Sequence, residues 1–251
     1  MPTLSVYIIC KNESLSIREC LESVTWADEI VVLDSGSTDD TLEIVKQFTD
    51  KVYVNEDWQG FGVQKQRAQS YTTGDWVLTI DADERVTPEL KENIQKILNR
   101  NDQSKVYAVP ILPNVFGYFL RHGGWYPAHK IRLYPRKTGQ YGNQKVHEKM
   151  EFTQPVETIK LKNDLLHYTY RDMEHYLVKS ANYASAWSEQ RQLRGKKSSL
   201  LKGVLHGVGC FIKIYIIKAG FLDGKPGLLI ALLSAHSTFV KYADLWIRTS
   251  K

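Results

Sequence analysis

The amino-acid sequence predicts an α/β protein built on a doubly wound, mostly parallel sheet. Three observations lead to this fold class. The chain of 251 residues is 43% hydrophobic and 24% charged, which is the composition of an ordinary folded protein. In roughly the first hundred residues, four short apolar runs alternate with segments of helical periodicity. After residue 105, short strands between loops rich in Gly, Pro and aromatic residues predict a mixed second half.

The first two β-α units have clear boundaries. A first apolar run covers residues 4–9, and the helix after it has apolar residues at helical spacing: Ile17, Cys20, Leu21 and Val24. The second run, residues 30–33, ends at Asp34 and continues into residues 35–39, which combine turn and helix-cap residues. The buried face of the second helix is predicted to contain Leu42, Val45 and Phe48.

The third and fourth units complete the parallel half of the sheet. Residues 52–54 are predicted to form a short third strand, and a polar helix is predicted around residues 64–71. The fourth strand, residues 76–80, stops at a group of acidic side chains. Thr87 is the predicted cap of the next helix and Pro88 its first residue, and the apolar positions of that helix are Leu90, Ile94, Ile97 and Leu98.

The second half of the chain is predicted to complete the sheet and to form the second wall of a cleft. Its strands cover residues 106–112 and 131–134. Thr169 and Asp172 are then predicted to form the capping pair of an amphipathic helix. The predicted inner face of this helix contains Met173, Tyr176, Leu177, Ser180, Ala184 and Trp187. We therefore expect one domain over residues 1–170 and a helical, basic and apolar segment over residues 171–251.

The formal net charge of +5 is unevenly distributed along the chain. Residues 191–225 contain eight Lys or Arg side chains and a single acid, Asp223. Because apolar residues are interleaved with these cations, the pattern favours an anionic membrane surface over nucleic acid as a partner. The longest uncharged stretch, residues 226–240, has about fifteen residues, whereas a spanning helix needs roughly 20. We therefore expect no segment that crosses a membrane.

The cysteines and the amino terminus indicate a cytoplasmic protein. Cys10, Cys20 and Cys210 match no metal-ligand spacing and no disulfide framework, so a reducing compartment is the simpler expectation. The apolar run at residues 4–9 follows no basic segment and stops at Lys11, so it does not have the pattern of a signal peptide.

An acidic cluster of Asp81, Asp83 and Glu84 directly follows the fourth predicted strand. Ligands of an open α/β sheet bind beyond the carboxyl ends of its strands, and Asp34 ends another strand at the same edge. A hard cation such as Mg²⁺ takes one or two carboxylates and completes its shell with water and substrate phosphates. The cluster therefore indicates a site for a metal and a nucleotide.

Simpler interpretations of the same residues stay open. The acidic cluster could be a solvated turn, because a bare Asp-x-Asp occurs about once by chance in a chain of this length. Asp34 could serve only as the cap of the second helix. A dehydrogenase is excluded, because residues 10–14 hold no G-x-G-x-x-G loop, and the chain contains no P-loop sequence.

Four segments in the first part of the chain form an ordered pattern: KNE at residues 11–13, VVLDSGSTDDT at 31–41, WQGFGVQKQR at 58–67 and DADE at 81–84. Together they resemble glycosyltransferase family 2, whose members have the GT-A fold. Three later segments are GWYPAHKIRLYPR at residues 124–136, VHE at 146–148 and HYTYR at 167–171. They resemble the bacterial branch that adds a hexose, often glucose, to the inner core of lipopolysaccharide. Ala128 and Gln66 depart from the branch pattern, which often has an acidic residue and Asn there, and this leaves the acceptor open.

The resemblance implies an inverting, metal-dependent transfer of a hexose, with glucose as the expected sugar, from a UDP-sugar to a lipopolysaccharide-type acceptor. It gives Asp34 and Asp81 contacts to the uridine base and ribose. It gives Asp83 the divalent metal, Mg²⁺ or Mn²⁺, that bridges the diphosphate. Glu13 and Lys65 would line the same nucleotide pocket, and Lys suits phosphate as a point charge.

The catalytic base is expected in the second half of the predicted domain. Residues 1–104 would form the nucleotide-sugar half and residues 105–170 the acceptor half. Inversion at the sugar carbon requires a base on the acceptor side, and the resemblance assigns that role to Glu148 through its VHE motif. Alternatively, Glu148 lies on an exposed strand and pairs with a neighbouring lysine. We assign no role to His147.

The C-terminal segment and two rival functions complete the set of hypotheses. The segment either contacts an anionic membrane at the inner face of the cytoplasmic membrane, or packs as a helical hairpin on the catalytic domain or on a second subunit. A lipid-linked saccharide would be the acceptor in the first case. The rival functions are a sugar nucleotidyltransferase and a non-catalytic, peripheral membrane-binding module on the same fold.

Overall fold

The computed structural model describes residues 1–143 and 149–250. The chain divides into two compact units, each assembled from two stretches of sequence. The first unit comprises Met1–Ile111 and Ala128–His167, and the second comprises Leu112–Pro127 and Tyr168–Lys251. The first unit therefore contains most of the strands, and the second contains the C-terminal helices.

The described residues form twelve strands and seven α-helices. The strands are β1 (Leu4–Cys10), β2 (Glu29–Asp34), β3 (Val52–Val54), β4 (Trp76–Asp81), β5 (Glu84–Val86), β6 (Lys105–Val115), β7 (Tyr118–Phe119), β8 (Ala128–Pro135), β9 (Gly139–Tyr141), β10 (Met150–Phe152), β11 (Glu157–Lys160) and β12 (Leu165–Tyr170). The helices are α1 (Ile17–Glu22), α2 (Thr41–Val45), α3 (Phe61–Ser70), α4 (Pro88–Arg100), α5 (Met173–Leu193), α6 (Leu200–Phe211) and α7 (Gly224–Thr249).

The main sheet has a parallel half and a mixed half, as the sequence predicts. Its strand order is β3-β2-β1-β4-β8-β6-β12-β5, with β11 and β7 also paired to β6. The strands β3, β2, β1 and β4 are parallel to one another, whereas β8 is antiparallel to both β4 and β6. The predicted α/β class, with a mostly parallel sheet, a mixed second half and C-terminal helices, is therefore confirmed.

Both faces of the parallel half are buried, which is what a doubly wound sheet requires. Every residue of β1 is buried. On this strand Val6 and Ile8 belong to the core that includes residues of α1 and α4, while Tyr7 and Ile9 belong to the core that includes Ala68 of α3. Because successive side chains of a strand point to opposite faces, this alternation fixes the register of β1.

Two helix starts follow the capping rules. The Thr87 hydroxyl accepts a hydrogen bond of 3.2 Å from the Leu90 amide, and Pro88 is the first residue of α4, as predicted. The Asp172 carboxylate accepts a bond of 2.7 Å from the His175 amide at the start of α5. The capped ends satisfy amide groups that have no partner within the helix.

The predicted inner face of α5 is wider than the observed one. Tyr176 and Ala184 are buried, but Met173 is 41% exposed and Leu177 is 45% exposed. The reason is that α7 covers α5 along a narrow stripe, where the Tyr176 hydroxyl donates to the Leu233 carbonyl at 2.7 Å.

The C-terminal segment folds as a helical hairpin. After α6 the chain continues as a π-helix (Ile212–Ile217), turns through a 3-10 helix (Gly220–Asp223) and returns along α7. By length and composition, Leu200–Ile217 and Gly220–Thr249 are each long and apolar enough to cross a membrane. The uncharged stretch of residues 226–240 understates the length of these apolar helices, because they continue through isolated lysines at which the uncharged stretches end. The expectation that no segment crosses a membrane stays a prediction. Length and composition alone do not place either helix in a membrane.

The buried carboxylate of Glu29 links β2 to β1 by a hydrogen bond at the edge of the sheet opposite the acidic cluster. Glu29, at the start of β2, accepts hydrogen bonds from the Ser5 hydroxyl of β1, from Lys51 and from Thr73. Burial alone would raise the pKa of Glu29, but the bonds from Lys51, Ser5 and Thr73 outweigh it and lower the pKa from 4.5 to about 2. The ionised carboxylate is therefore the form that the fold stabilises.

The substitution Glu29→Gln tests this junction. Because it leaves the buried Ser5 hydroxyl and the Lys51 ammonium group without an ionised acceptor, we expect the free energy of unfolding at neutral pH to fall by about 1–3 kcal/mol. The contribution of Glu29 is present above its unfolded pKa of 4.5 and is lost as the pH falls toward 2, so the difference between parent and variant should shrink over that range. Urea unfolding at several pH values measures it, with the exposed Glu22→Gln as control. A pH-independent difference would contradict the assignment.

Candidate active site

The strand register brings two predicted site residues to one edge of the sheet. Cys10, the last residue of β1, pairs with Asp34 at the end of β2. On the other side of β1, Ile9 pairs with Asp81 at the end of β4. Asp34 and Asp81 therefore lie on the two strands that flank β1, roughly 10 Å apart across the sheet.

Asp34 organises the loop that follows its own strand. One carboxylate oxygen accepts the amide hydrogens of Gly36 and Ser37 at 2.8 and 2.7 Å. The other accepts the Ser37 hydroxyl and lies 3.6 Å from the Cys10 sulfur. The residue that precedes α2 is Asp40, so Asp34 is not the cap of that helix. Its buried carboxylate instead holds the loop in one conformation at the edge of the sheet.

The loop after β1 is joined to the same region. The Asn12 amide donates to the Ser37 hydroxyl, and the Asn12 side-chain oxygen accepts the Thr38 amide, each at 2.8 Å. The Glu13 amide donates to the Thr41 hydroxyl at 2.8 Å. Glu13 is therefore held where the loops after β1 and β2 meet.

Asp81 lies between two cations. One carboxylate oxygen is 3.1 Å from the Lys65 ammonium group, and the other is 2.7 Å from the Arg132 guanidinium group. Lys65 comes from α3 and Arg132 from β8, and both side chains are almost completely buried. Burial alone would raise the pKa of Asp81, but the charges of Arg132 and Lys65 hold it well below its usual range. Asp81 is therefore ionised.

Glu84 supports Asp81 from beneath. It is fully buried, accepts the Asp81 amide hydrogen at 2.9 Å and contacts the Arg132 guanidinium group. A solvated carboxylate at this position is therefore ruled out. Burial raises the pKa of Glu84 against the opposing charge of Arg132, and the charge of Asp81 raises it further. Of the two carboxylates, Glu84 is the one that holds a proton more readily.

Asp83 pairs with a histidine from the far end of the unit. His167, in β12, lies beside Glu84 in the sheet, and its Nε2 is 3.1 Å from a carboxylate oxygen of Asp83. Burial alone would lower the pKa of His167, but the hydrogen bond and charge of Asp83 raise it above its usual value. Both side chains are about one-fifth exposed, so solvent and solutes reach them.

A metal ion at Asp83 would take some of its ligands from the protein and the others from water and a substrate. Within residues 1–143 and 149–250, no group of three or more His, Cys, Asp or Glu side chains could hold an ion by itself. Mg²⁺ commonly takes one or two protein ligands and fills its remaining positions with water and substrate phosphates. The Asp83 carboxylate and the His167 imidazole are an oxygen and a nitrogen donor already within contact distance, so they fit a cation that a diphosphate would share.

A cavity of about 700 Å³ opens at the start of α3. Its walls are Trp58, Gln59, Gly60, Val63 and Asn143. The volume is in the range of small-molecule sites. The exposed Trp58 ring packs edge-on against Phe61 at 4.9 Å between centroids, and indole rings offer a flat surface for a sugar or base.

Other aromatic and polar residues of the predicted motifs have structural contacts. Trp125 is half-buried and packs on the core of Val115, Leu120 and Ile230 in the second unit. Gln66 donates from its side-chain amide to the Tyr141 carbonyl, so it ties α3 to β9. These contacts explain the two residues by packing and hydrogen bonding within their own units.

The structure brings together some of the predicted site residues. Asp81 and Lys65 are in contact, Asp83 is two residues further on, and Asp34 and Glu13 lie at the adjacent strand ends. Glu148, together with His147, lies outside the described residues. The sequence patterns predicted no role for Arg132 or His167, although these residues lie in the segments 124–136 and 167–171. A charged residue between Ile131 and Leu133 in an apolar run was the available signal for Arg132.

The comparisons with known proteins agree on one family. Residues 5–157 match the profile described as Glycosyl transferase family 2. The uncharacterized glycosyltransferase RP128 of Rickettsia prowazekii (strain Madrid E) is 32% identical over 98% of this chain and 87% of its own length. The lipopolysaccharide core biosynthesis glycosyltransferase LpsC of Rhizobium meliloti (strain 1021) is 29% identical over 96% of this chain and 93% of its own length.

One solved structure shows a partial similarity. Glucosyl-3-phosphoglycerate synthase from Mycobacterium tuberculosis, in complex with Mg²⁺ and uridine-diphosphate, is 26% identical in the matched part. The match covers 45% of this chain and 44% of that one, with a TM-score of 0.38.

The substitution Arg132→Met tests the buried cluster. Removing the guanidinium group leaves the buried Glu84 carboxylate beside the partly exposed Asp81 carboxylate with no cation from β8 between them, so we expect the free energy of unfolding to fall by about 3–5 kcal/mol. Lys130→Met, at an exposed position of the same strand, is the matched control and should have little effect. Urea unfolding measures both. Adding Glu84→Gln to Arg132→Met should restore part of the loss, and a double variant no more stable than the single one would contradict this account.

Proposed function

Because the chain belongs to glycosyltransferase family 2, and is therefore a nucleotide-sugar-dependent glycosyltransferase, we propose that it is an inverting, metal-dependent hexosyltransferase. It would move glucose from UDP-glucose to a lipopolysaccharide core or a similar glycan acceptor. The observation that carries the proposal is the position of Asp34 and Asp81 at the ends of the two strands that flank β1, with Asp83 two residues beyond Asp81. This is the edge at which nucleotides bind in this kind of sheet.

The donor nucleoside would bind against Asp34 and Asp81. A carboxylate accepts hydrogen bonds from a uracil N–H or from ribose hydroxyls, and the low pKa of Asp81 keeps it ionised for that purpose. Arg132 and Glu84 hold Asp81 in place from the protein side. Lys65 would exchange part of its contact with Asp81 for a phosphate oxygen, and Glu13 would line the same pocket from the loop after β1.

The diphosphate would bind beside Asp83. Asp83 and His167 would hold a divalent cation, Mg²⁺ or Mn²⁺, together with the phosphate oxygens. When bound there, the cation would supply Lewis-acid stabilisation of the charge that develops on the leaving UDP. The side chains of Asp83 and His167 are partly exposed, which supports access for both the ion and the nucleotide.

The acceptor hydroxyl would be activated by Glu148. Inversion requires that the hydroxyl attack the anomeric carbon from the face opposite the leaving diphosphate, while a carboxylate removes its proton. In this arrangement the C–O bond to the diphosphate breaks as the new glycosidic bond forms. Residues 1–104 would supply the donor side and residues 105–170 the acceptor side of the reaction.

The similarity to LpsC, whose name assigns it to lipopolysaccharide core biosynthesis, supports the proposed acceptor class and location. A lipid-linked saccharide stays in a membrane, so this chain would act in the cytoplasm, at the inner face of the cytoplasmic membrane. The basic and apolar C-terminal segment favours peripheral contact with an anionic lipid surface. A sugar nucleotidyltransferase is not favoured, because the loop after β1 offers no glycine for a close approach to phosphate.

The substitutions Asp83→Ala and His167→Ala test the metal site. Each should reduce the release of UDP from UDP-glucose in the presence of Mn²⁺ by about a hundredfold or more, because charge stabilisation on the diphosphate is lost. Asp102→Ala, which changes a partly exposed acid just after α4, is the control. Calorimetric titration with UDP, with and without Mn²⁺, should show that the variants lose the metal-dependent part of binding. Undiminished turnover in Asp83→Ala would remove the metal role.

The substitution Glu148→Gln tests the assignment of the base. We expect transfer to the acceptor to fall by about a hundredfold to ten-thousandfold, since proton removal is lost, while the affinity for UDP stays unchanged. Glu151→Gln, three positions along, is the control and should keep full activity. Transfer and UDP titration are measured on the same preparations. A Glu148→Gln enzyme that transfers at the parental rate would show that another group is the base.

A further inference from the structure

The second unit exposes an apolar stripe on the outer face of α6. On the inner face, Gly203 and Gly207 pack on α7, where an added Cβ atom would lie 3.2 Å from Phe239 and 3.1 Å from the Ala235 carbonyl oxygen. The outer residues, which we name the α6 stripe, recur every three or four positions and are between 41% and 68% exposed: Leu201, Val204, Leu205, Val208 and Ile212.

The other long helix of the hairpin, α7, packs on both α6 and α5 within its own unit. It also keeps apolar side chains that are 37% to 54% exposed: Leu228, Leu229, Leu232, Trp246 and Ile247. On one side α7 receives the small residues of α6. On the other side α5 donates hydrogen bonds to it, from Tyr176 to the Leu233 carbonyl, from Ser180 to Ser237 and from Ser188 to the Lys241 carbonyl. The centre of the three-helix unit is therefore α7, whereas the α6 stripe faces outward and no described residue covers it fully.

The charges around the stripe select its partner. Between residues 191 and 225 there are eight basic side chains and one acid, a net charge of +7, whereas the rest of the chain has 25 basic against 27 acidic residues, a net charge of −2. The single acid, Asp223, accepts the His122 ring nitrogen at 2.7 Å and the amides of Arg121 and His122. The cations therefore have no carboxylate from their own stretch to compensate them, except for one that is already engaged.

We propose that the α6 stripe and its flanking lysines dock on the surface of an anionic lipid bilayer, with α6 lying in the plane of the interface. The proposal rests on the proposed function in one respect, namely that a lipid-linked acceptor would lie in the same membrane. Apolar side chains would enter the headgroup and acyl boundary, and the lysines would meet lipid phosphates. A second copy of this chain would instead bring two basic surfaces together, which is electrostatically unfavourable.

The positions of the lysines favour a helix that lies flat over one that spans. Lys202 and Lys213 are exposed and about three helical turns apart, so they flank the stripe on the same side. The ten residues between them cover about 15 Å, roughly half of the 30 Å hydrocarbon core. A perpendicular helix would place one of these ammonium groups deep in hydrocarbon. A helix in the interface lets both reach the headgroups.

Flotation of the full chain with vesicles tests the docking surface. We expect binding to vesicles of phosphatidylcholine with phosphatidylglycerol, little binding to phosphatidylcholine alone, and release at high salt. The double variant Leu205→Glu with Val208→Glu should bind about a hundredfold more weakly, about tenfold for each apolar side chain kept from the boundary. The matched control, Val178→Glu with Leu193→Glu, changes two exposed apolar residues of α5 and should bind like the parent.

Further arms of the experiment separate the alternatives. The variant Lys202→Gln with Lys213→Gln should lose the preference for phosphatidylglycerol. Binding that resists high salt and alkaline carbonate would indicate a spanning helix and overturn the proposal, as would an equal loss in the α5 control. A parent that is dimeric in light scattering, becomes monomeric in the α6 variant and binds no vesicles would assign the stripe to a second copy. UDP titration of every variant separates this inference from the proposed function. Loss of vesicle binding with UDP binding kept would count against the docking surface alone, and loss of UDP binding with vesicle binding kept would count against the proposed function alone.

Discussion

The buried contact of Arg132 with Asp81 and Glu84 is the interaction on which the candidate site depends. A carboxylate removed from water needs hydrogen-bond donors or a cation to compensate its charge, and for Asp81 and Glu84 the shared compensating group is a cation. Arg132 does this from β8, a strand that enters the sheet antiparallel to β4. The same guanidinium group therefore fixes the orientation of Asp81, keeps that carboxylate ionised and joins the parallel half of the sheet to the mixed half.

Four acidic residues at this edge have four different environments, and the environment separates their roles. Asp34 is occupied by amides of its own loop, Asp81 by two cations, and Glu84 is buried under Asp81. Asp83 contacts His167 and keeps partial access to solvent. Under the proposed function these environments would suit Asp34 and Asp81 to the nucleoside, Glu84 to support of Asp81, and Asp83 to a cation. The spacing D-x-D-E alone shows none of these differences.

The second unit uses a different set of forces. Its hairpin is held by close approach at Gly203 and Gly207 and by hydrogen bonds from α5, not by ion pairs. The apolar residues of α6 stay outside that packing and are accompanied by the largest local excess of positive charge in the chain. Sugar-nucleotide chemistry and lipid contact would therefore be carried by separate units, which lets each surface have the charge that its own ligand requires.

Local sequence was sufficient to predict the α/β class, the alternation of strands and helices in the parallel half, and the Thr87 and Asp172 caps. It was also sufficient to predict that Asp34 and Asp81 lie at one edge of the sheet. Periodicity, capping and strand ends depend on neighbouring residues, so a single sequence contains that information. The tertiary structure alone decided that Arg132 meets Asp81 across 51 positions and that His167 meets Asp83 across 84. It also decided which face of α6 packs on α7 and which apolar residues of α6 stay exposed. Such contacts depend on which strands and helices become neighbours, and chain closure over those separations leaves no local periodic signal.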